Sequence, residues 1–591
     1  MRTERAVSSI LLFLAAFVPN VHGQSKPNVV VILTDDQGWG DLSSSGNTNL
    51  STPRIDSIAE QGARFDRFFV QPVCSPTRAE FLTGRWHPRG GVSGVSTGAE
   101  RLDLDESTIA DAFSAAGYAT GCFGKWHNGS QYPYHPRGRG FQEYYGFTSG
   151  HWGDYFDAPM DDNGKQVKGK GFMADDLTSR AIDFLARNRK AGKPSFCYLA
   201  FNTPHSPMQV PDTYWNRFAG RDLPLKGGRN EQLDHTRAAL AMCENLDDNV
   251  GRLLDAIDSE GMASDTIVVF FCDNGPNGPR FNGGMKGIKG TTDEGGVRSP
   301  LFVRWPGRIA PGTIVRPIAG AIDLLPTLTE LAGIARKGEK PLDGTSMAGW
   351  LLGRDTEMPR RILFQHWARG TSARDQRFRL DSAGQLFDMI ADPGQTTDVS
   401  TRFADDAERL KQAVTAWRRD VLGELRLPDA RPFPVGYREW PDTILPARDG
   451  VPHAGVKRSA PAPNCSFFTR WTALEDSMTW EVEVQKPGRF EAIVHYTCGA
   501  ADAGSEIALK LGSTEWRGQV DKPHDPPLRG MEHDRSPRGS ESYVKDFRPL
   551  SLGVLDVAAG RSKLTLQAVR VAGGAVADVR AVELRRLEPE R

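Results

Sequence analysis

The sequence predicts an α/β protein whose mixed central sheet is flanked by helices, followed by a small antiparallel subdomain and an all-β sandwich domain. From Pro27 to about residue 355, apolar strand-like runs alternate with helical patterns, which is typical of a sheet covered by helices. Residues 360–425 contain short strand-like runs followed by one helical segment. Beyond residue 464 the segments alternate apolar and polar residues, which indicates a β-sandwich.

Two continuous apolar strands and three helical segments of the α/β region position the residues discussed below. The strands cover 28–33 and 266–272, and acidic residues follow each of them. The spacing of apolar residues predicts helices over 107–116, 174–191 and 234–259. Because ligands bind at the carboxyl ends of the strands in open α/β sheets, we expect the acidic residues to share one edge.

The remaining segments set the predicted domain boundaries. Strands are predicted at 362–366, 378–380, 386–388, 480–484, 490–496, 507–511 and 564–568, and one more helix over 405–422. With 591 residues and 39% hydrophobic content, the chain is long enough for several cores. We predict a signal peptide (1–23), an α/β domain (27–355), a small α+β subdomain (356–426), a connector rich in Pro, Gly and Arg (427–463) and a β-sandwich (464–591).

The N-terminus has the pattern of a signal peptide. Basic Arg2 and Arg5 precede an apolar run over residues 10–18, and the small residue Gly23 suits a cleavage site. The apolar run is shorter than the ~20 residues that a membrane span needs. We therefore predict an exported protein, periplasmic or extracellular, with no membrane span in its mature form.

Charge and cysteine content exclude several function classes. The 73 basic and 74 acidic residues nearly cancel and form no long runs, which argues against nucleic-acid binding and against adhesion to anionic lipid. Seven cysteines in so long a chain do not make a disulfide framework. Cys197 and Cys272 lie in strand-like runs and are expected in the core. Pairing of Cys465 with Cys498 stays open, as does the oligomeric state.

The segment that begins at Cys74 carries the clearest chemical signal. It reads Cys74-Ser75-Pro76-Thr77-Arg78 and continues to Leu82-Thr83-Gly84. An isolated cysteine here would usually be a buried thiol ahead of a helix. Pro76 suits the first turn of a helix, so Cys74 would lie at a helix N-terminus, where the helix dipole favours anions. Arg78, one turn later, can reach back toward the same position.

This segment resembles the sulfatase signature, Cys-x-Pro-x-Arg followed by Leu-Thr-Gly, with Thr77 where the family more often has Ser. The resemblance covers roughly residues 27–425. It points to the formylglycine-dependent sulfatases of the alkaline phosphatase superfamily and implies an alkaline-phosphatase-like fold. It also implies that a formylglycine-generating enzyme oxidises Cys74 to formylglycine, whose hydrated aldehyde would be the nucleophile.

The acidic residues at the strand ends indicate a metal site. Asp35 and Asp36 follow the first strand, and Asp273 and Asn274 follow the second. Standing alone, Asp35 and Asp36 could equally belong to an exposed turn. Three carboxylates and one amide suit a hard cation such as Ca²⁺ or Mg²⁺, whereas zinc prefers His or Cys. The resemblance implies that these four residues, with formylglycine at position 74, bind Ca²⁺, with Mg²⁺ as the alternative.

Further motifs supply cationic and imidazole side chains. Lys125 and His127 stand in a Gly-Lys-Trp-His segment like that of the family, although a solvated lysine and a structural histidine remain the simpler alternative. His205 follows the strand that contains Cys197. Lys289 begins a run that resembles the family's lysine-glycine segment, and Lys286 is an alternative cation nearby.

The resemblance implies a role for each of these groups. Arg78, Lys125 and the metal would lower the free energy needed to ionise the nucleophile. His205 and Lys289 are the candidates to protonate the leaving alkoxide, and His127 would remove the proton that precedes sulfate release.

The loops around this edge bear on the substrate. They cover 94–101, 128–170, 206–232 and 276–284. The second loop is rich in aromatic and polar residues, which favours a sulfated carbohydrate over a small hydrophobic aryl sulfate, and His151 and Trp152 are candidate contacts. The β-sandwich resembles carbohydrate-binding modules in strand pattern and terminal placement, but it could equally be a structural cap.

Three functions stay in competition. A sulfuric ester hydrolase acting on a sulfated poly- or oligosaccharide agrees best with the motifs. A formylglycine-dependent phosphonate monoester or phosphodiester hydrolase would share the nucleophile motif. An inactive glycan-binding relative is the alternative from another class. Neither the sugar nor the sulfated position follows from the sequence.

Overall fold

The computed structural model describes residues 26–587, so the predicted signal peptide lies outside the described residues. The strands of the first domain are β1 (Asn28–Thr34), β2 (Ala63–Phe65), β3 (Phe68–Phe69), β4 (Ala119–Lys125), β5 (Glu143–Phe147), β6 (Pro159–Asp162), β7 (Lys165–Lys168), β8 (Ser195–Ala200), β9 (Thr266–Cys272), β10 (Arg298–Ser299), β11 (Leu301–Arg304), β12 (Thr313–Val315) and β13 (Ala319–Gly320). The helices are α1 (Pro53–Glu60), α2 (Cys74–Thr83), α3 (Ile109–Ala115), α4 (Met173–Lys190), α5 (Asp212–Phe218), α6 (Leu233–Ser259), α7 (Glu294–Val297), α8 (Leu324–Leu331) and α9 (Ala348–Leu351).

A ten-stranded mixed sheet in the order β12-β2-β11-β9-β1-β8-β4-β5-β6-β7 forms the centre of this domain. Its middle strands β9, β1, β8, β4 and β5 run parallel. Alternate side chains of β1 enter different cores: Val30 packs with α1, α4 and α6, whereas Val31 packs with α2, α3 and α8. Since helices cover both faces, the strands are apolar throughout, and the predicted α/β class is confirmed.

The parallel strands bring the loops after β1, β8 and β9 to one edge of the sheet. Thr34 and Cys272 are register partners at the ends of β1 and β9, so the acidic residues that follow them lie side by side. The backbone N–H of Asp35 donates to the carbonyl of Thr203, which joins the loop after β8 to the same edge at 3.1 Å. The predicted meeting of polar loops at one sheet edge is therefore present.

A four-stranded antiparallel sheet follows the first domain. Its elements are β14 (Leu363–Trp367), β15 (Gly370–Arg374), β16 (Phe378–Leu380), β17 (Leu386–Asp388) and α10 (Ala404–Asp420). The sequence analysis missed β15, because Gly-Thr-Ser-Ala-Arg lacks an apolar alternation even though four of its five residues are buried. Trp417 of α10 stacks on Phe364 of β14, with ring centroids 5.3 Å apart, and closes this core.

The C-terminal region consists of two packed antiparallel-rich sheets. Their strands are β18 (Phe433–Val435), β19 (Asp442–Pro446), β20 (Val451–His453), β21 (Lys457–Arg458), β22 (Phe468–Thr469), β23 (Ser477–Val484), β24 (Gly488–Thr497), β25 (Ser505–Leu511), β26 (Thr514–Val520), β27 (Arg548–Val557), β28 (Gly560–Arg570) and β29 (Asp578–Leu587). One sheet has the order β18-β23-β28-β25-β26 and the other β21-β22-β29-β24-β27. Their inner faces share a single apolar core.

Four of these strands, β18 to β21, lie within the predicted connector. β18 and β20 pair with β23, β19 pairs with β29, and β21 pairs with β22, so the connector contributes to both sheets. Pro434 and Pro446 obscure the strand pattern, since proline is confined to edge strands and strand ends. The domain division at residues 355, 426 and 463 stays a prediction.

A buried ion pair between the first domain and the small subdomain gives a stability prediction. Glu294 Oε2 lies 2.6 Å from Arg374 Nη1, and both side chains are 2% exposed. Glu294→Ala leaves a buried guanidinium without this partner and is expected to destabilise the protein by about 3–5 kcal/mol. The control Glu330→Ala removes an exposed pair with Arg354 and should change stability by less than about 1 kcal/mol. Urea unfolding of both variants measures the difference, and equal effects would contradict the prediction.

Candidate active site and metal centre

Helix α2 places residue 74 at the sheet edge. Cys74 is the first residue of the helix, with Val73 as the N-cap, and all ten helix residues are buried. The hydroxyl of Thr77 accepts a hydrogen bond from the backbone N–H of Gln71 at 2.9 Å and braces the first turn. Burial raises the pKa of the Cys74 thiol, although Lys125 and Lys289 oppose this. An unmodified thiol would therefore stay protonated and be a weak nucleophile at neutral pH.

Two buried cations bind the acidic residues at the strand ends. Arg78 Nη2 donates to Asp273 Oδ2 at 2.8 Å, and its Nη1 donates to the carbonyl of Lys125 at 2.8 Å. Lys125 Nζ donates to Asp35 Oδ2 at 2.5 Å. Burial opposes the charge of Arg78, but Tyr198 and Asp273 raise its pKa overall, so the guanidinium keeps its charge.

Three buried oxygen atoms at the sheet edge have no hydrogen-bond partner. They belong to Asp35 (Oδ1), Asp36 (Oδ2) and Asn274 (Oδ1). The ligand atoms of Asp35, Cys74 and Asp273 also lie within 4.8 Å of one another, so the predicted metal residues converge. Unpaired buried oxygens are costly, and a hard cation would satisfy all three. The residues present therefore fit a divalent metal held by oxygen ligands.

The carboxylates differ in their partners. Burial raises the pKa of Asp36, but His205, Lys289 and Lys125 outweigh it and hold this pKa well below its usual range. Burial and Asp35 raise the pKa of Asp273 to about 6, against the opposing charges of Arg78 and Lys125. Lys289 Nζ lies 2.6 Å from Asp36 Oδ1. The cations thus offset part of the repulsion among three carboxylates that share one site.

The structure places Lys289 in the cluster and Lys286 outside it. Lys289 is 23% exposed at its side chain and pairs with Asp36. Its charge helps to lower the pKa of that carboxyl. Lys286 is 47% exposed and lies 3.9 Å from Asp293. The geometry therefore favours Lys289 over the alternative cation.

Two histidines face the cluster with defined hydrogen bonds. His127 follows β4 in the left-handed region, with φ at 63°, and its Nε2 lies 2.7 Å from the carbonyl of Val95. Its Nδ1 is buried without a partner. His205 Nδ1 lies 2.6 Å from the carbonyl of Ser206, and its Nε2 lies 3.6 Å from Asp36 Oδ2. In each ring, one nitrogen is within hydrogen-bond distance of a backbone carbonyl, and the other nitrogen has no hydrogen bond.

The two candidate substrate contacts have different surroundings. His151 stacks on His205, with ring centroids 5.7 Å apart and an interplanar angle of 22°. Trp152 stacks on Phe147 at 5.5 Å, and Arg580 of the C-terminal region lies over its ring. The geometry therefore places His151 beside His205 and gives Trp152 a packing contact with the C-terminal region, and their contact with substrate stays a prediction.

The sequence analysis missed one acidic residue beside the site. Glu541, in the C-terminal region, accepts a hydrogen bond from the hydroxyl of Ser206 at 2.6 Å and lies near His205 and His151. Its neighbours Ser540 and Ser542 give no sequence signal, because the position of Glu541 depends on docking between domains. All seven cysteines are free in the structure, including Cys465 and Cys498.

Comparison with known proteins places this arrangement in a family. A model of the Sulfatase family matches residues 27–334, just over half of the chain. Arylsulfatase A of Bos taurus is 34% identical over 394 residues, which cover 61% of this chain and 73% of that protein. N-acetylgalactosamine-6-sulfatase of Mus musculus is 30% identical over 382 residues, 59% of this chain and 70% of that protein.

A solved structure extends the likeness to three dimensions. Ps i-CgsB in complex with k-i-k-neocarrahexaose has a TM-score of 0.62 and 28% identity to this chain, and it covers 68% of this chain and 94% of its own. The region matched by the family model contains every candidate residue from Asp35 to Lys289. The chain belongs to the sulfatase family of the alkaline phosphatase superfamily, and it is a sulfuric ester hydrolase.

Proposed function

We propose that this sulfatase is exported and removes sulfate from a sulfated poly- or oligosaccharide. The observation that carries the proposal is the convergence of the first residue of α2 with two buried cations and three unpaired acceptor oxygens. The site combines a position for a nucleophile with positive charge for the sulfate. Hydrolysis of a sulfate ester needs both, because negative charge must be stabilised on the transferring group.

The nucleophile and the metal are both additions to the polypeptide. Formylglycine made from Cys74 by a formylglycine-generating enzyme would supply a hydrated aldehyde, whose hydroxyl can attack sulfur. Asp35, Asp36, Asp273 and Asn274 would hold Ca²⁺, or alternatively Mg²⁺, which would withdraw charge from a sulfate oxygen. The all-oxygen donor set supports a hard cation over zinc.

The cationic and imidazole side chains have proposed roles that follow from their charge and from the position of their nitrogen atoms. Arg78 and Lys125 hold positive charge beside residue 74 and favour ionisation there. His205 Nε2 and Lys289 Nζ lie on the Asp36 side of the cluster, where a leaving alkoxide could take a proton. Nδ1 of His127 lacks a hydrogen-bond partner, and this unpaired nitrogen could accept the proton whose loss precedes sulfate release.

The substrate class is supported by surface features and by relatives. The loop over 128–170 is rich in aromatic and polar residues, which suits sugar faces and hydroxyls, and it places His151 against His205. One relative named above is an N-acetylgalactosamine-6-sulfatase, and one solved structure holds a neocarrahexaose. No helix among residues 26–587 has the length and hydropathy to cross a membrane, and export itself depends on the pattern over 1–23.

Comparing an aryl sulfate with an aryl phosphodiester tests the proposed reaction. Sulfate ester turnover should be the faster of the two in protein matured with formylglycine. Faster phosphodiester cleavage would instead favour the phosphonate monoester or phosphodiester hydrolase. No turnover together with an intact Cys74 thiol in the native host would favour an inactive glycan-binding relative. Desulfation of a defined panel of sulfated oligosaccharides then identifies the sugar.

Removal of the nucleophile should abolish activity. Cys74→Ala is expected to lower kcat on an aryl sulfate by roughly 10⁴-fold or more, because no other group can supply the aldehyde. The matched control Cys498→Ala changes another free buried cysteine, in the sandwich, and should leave kcat unchanged. Peptide mass analysis of residue 74 in the unmutated protein shows whether it is formylglycine. Full activity in Cys74→Ala would refute the assignment.

Metal binding should stabilise the protein independently of turnover. At a Ca²⁺ concentration about 100 times its Kd, binding adds about 2.7 kcal/mol to the free energy of unfolding. Calorimetric titration and thermal unfolding after chelation measure this effect. Asn274→Ala should weaken binding, whereas Asn277→Ala, which removes a nearby asparagine bonded to the Pro204 carbonyl, should not. Equal stability with and without Ca²⁺ and Mg²⁺ would contradict the proposed site.

A further inference from the structure

A loop of the C-terminal sandwich is anchored against the active site. This sandwich loop, residues 529–544, precedes β27. Gln209 Nε2 donates to the carbonyl of Gly530 at 2.8 Å, and the backbone N–H of Arg535 donates to the carbonyl of Met208 at 2.9 Å. Arg538 Nη1 donates to the carbonyl of Gly153 at 2.6 Å. Since these bonds join it to two segments of the first domain, the loop is held in one place.

The sandwich loop brings the carboxyl group of Glu541 into the site. Its side chain is 9% exposed. Oε1 accepts from the hydroxyl of Ser206 at 2.6 Å and lies 3.8 Å from His205 Nδ1 and 3.9 Å from His151 Nδ1. Oε2 is buried and has no hydrogen-bond partner. A buried carboxylate oxygen without a donor calls for a ligand, because the free energy lost on burial is otherwise not recovered.

The position of Glu541 is beside the reacting centre but outside the metal cluster. The ring of His205 lies between them, with Nε2 3.6 Å from Asp36 Oδ2 and Nδ1 facing Glu541. Glu541 is therefore separated from the metal cluster by a single imidazole ring. The Nε2 atom of His151 is also buried without a partner, so two unpaired polar groups lie on this side.

Neither His151 nor Arg538 neutralises this carboxylate. Burial, with His205 and Lys125 adding to it, lowers the pKa of His151 well below its usual range, so that ring stays neutral. Arg538 of the sandwich loop has bonds to the carbonyls of Gly153 and Ser542 and to Asp534. A negative charge in this place favours a hydrogen-bond donor and repels an anion.

We propose that Glu541 is a specificity-determining residue, whose Oε2 accepts a hydrogen bond from a hydroxyl or amine of the sugar that carries the sulfate. The same charge rejects sugars with a second sulfate or a carboxylate at that place. The inference rests on the proposed saccharide sulfatase function and makes the sandwich a part of the substrate site. A detached glycan-binding module would have no need to reach Ser206.

The variant Glu541→Gln tests this role with little change of shape. Its amide oxygen can still accept from Ser206, but its NH₂ group cannot accept from a sugar hydroxyl. The control Glu481→Gln removes an exposed carboxylate of the same sandwich, paired at 3.4 Å with Lys563. Full-length proteins with verified formylglycine and equal unfolding midpoints are compared. The probes are 4-nitrophenyl sulfate, the monosulfated saccharide cleaved fastest and its disulfated analogue.

The proposal predicts a change confined to the saccharides. Glu541→Gln should keep kcat/KM for 4-nitrophenyl sulfate within about twofold, because this probe does not extend to Glu541, and lower it for the monosulfated saccharide by roughly 10- to 100-fold. The preference for the monosulfated over the disulfated saccharide should fall at least about tenfold. Glu481→Gln should match the unmutated protein.

Other outcomes overturn the proposal in distinguishable ways. Equal loss on all three probes would make Glu541 a positioning residue for His205, and no loss on any probe would leave it without a role in the substrate site. An unchanged preference between the two saccharides would remove the charge argument. Absence of all turnover in the unmutated, formylglycine-containing protein would instead defeat the proposed function, and the inference with it.

Discussion

The structure depends on one electrostatic constraint: several carboxylates and cations are buried together at the carboxyl edge of a parallel sheet. Asp35 and Asp273 follow neighbouring strands in register, and Arg78 and Lys125 bridge them. Buried charges of one sign would separate or lose their charge, so the two cations stabilise the fold in addition to their proposed roles in the reaction. The oxygens that these cations leave unpaired define where a divalent metal would bind.

Helix α2 places the proposed nucleophile position at this charge arrangement. The helix begins at residue 74, so the positive end of its dipole lies at this residue, and the charge of Arg78 is one turn later. The buried thiol of Cys74 has a raised pKa, which makes an unmodified cysteine a poor nucleophile here. The site is therefore suited to a modified residue 74, and the family membership of the chain agrees with that interpretation.

Local sequence predicted what depends on local patterns. The apolar strands, the helices and the motif at Cys74 each leave a signal within a few residues, and the α/β class and family follow from them. Two short strands and one site residue could not be predicted without the tertiary structure. Strand β15 and the proline-containing β18 lack a strand pattern because packing and edge placement decide them. Glu541 is far from the site in sequence, and only docking of the sandwich loop brings it to Ser206.

A high-resolution crystal structure of the mature protein with Ca²⁺ tests the central claim most directly. Electron density at residue 74 and anomalous scattering from the cation report on both additions in one experiment. The account predicts a hydrated aldehyde at position 74 that faces a cation bound to Asp35, Asp36, Asp273 and Asn274. An unmodified thiol in active protein, or a cation bound away from these four residues, would contradict it.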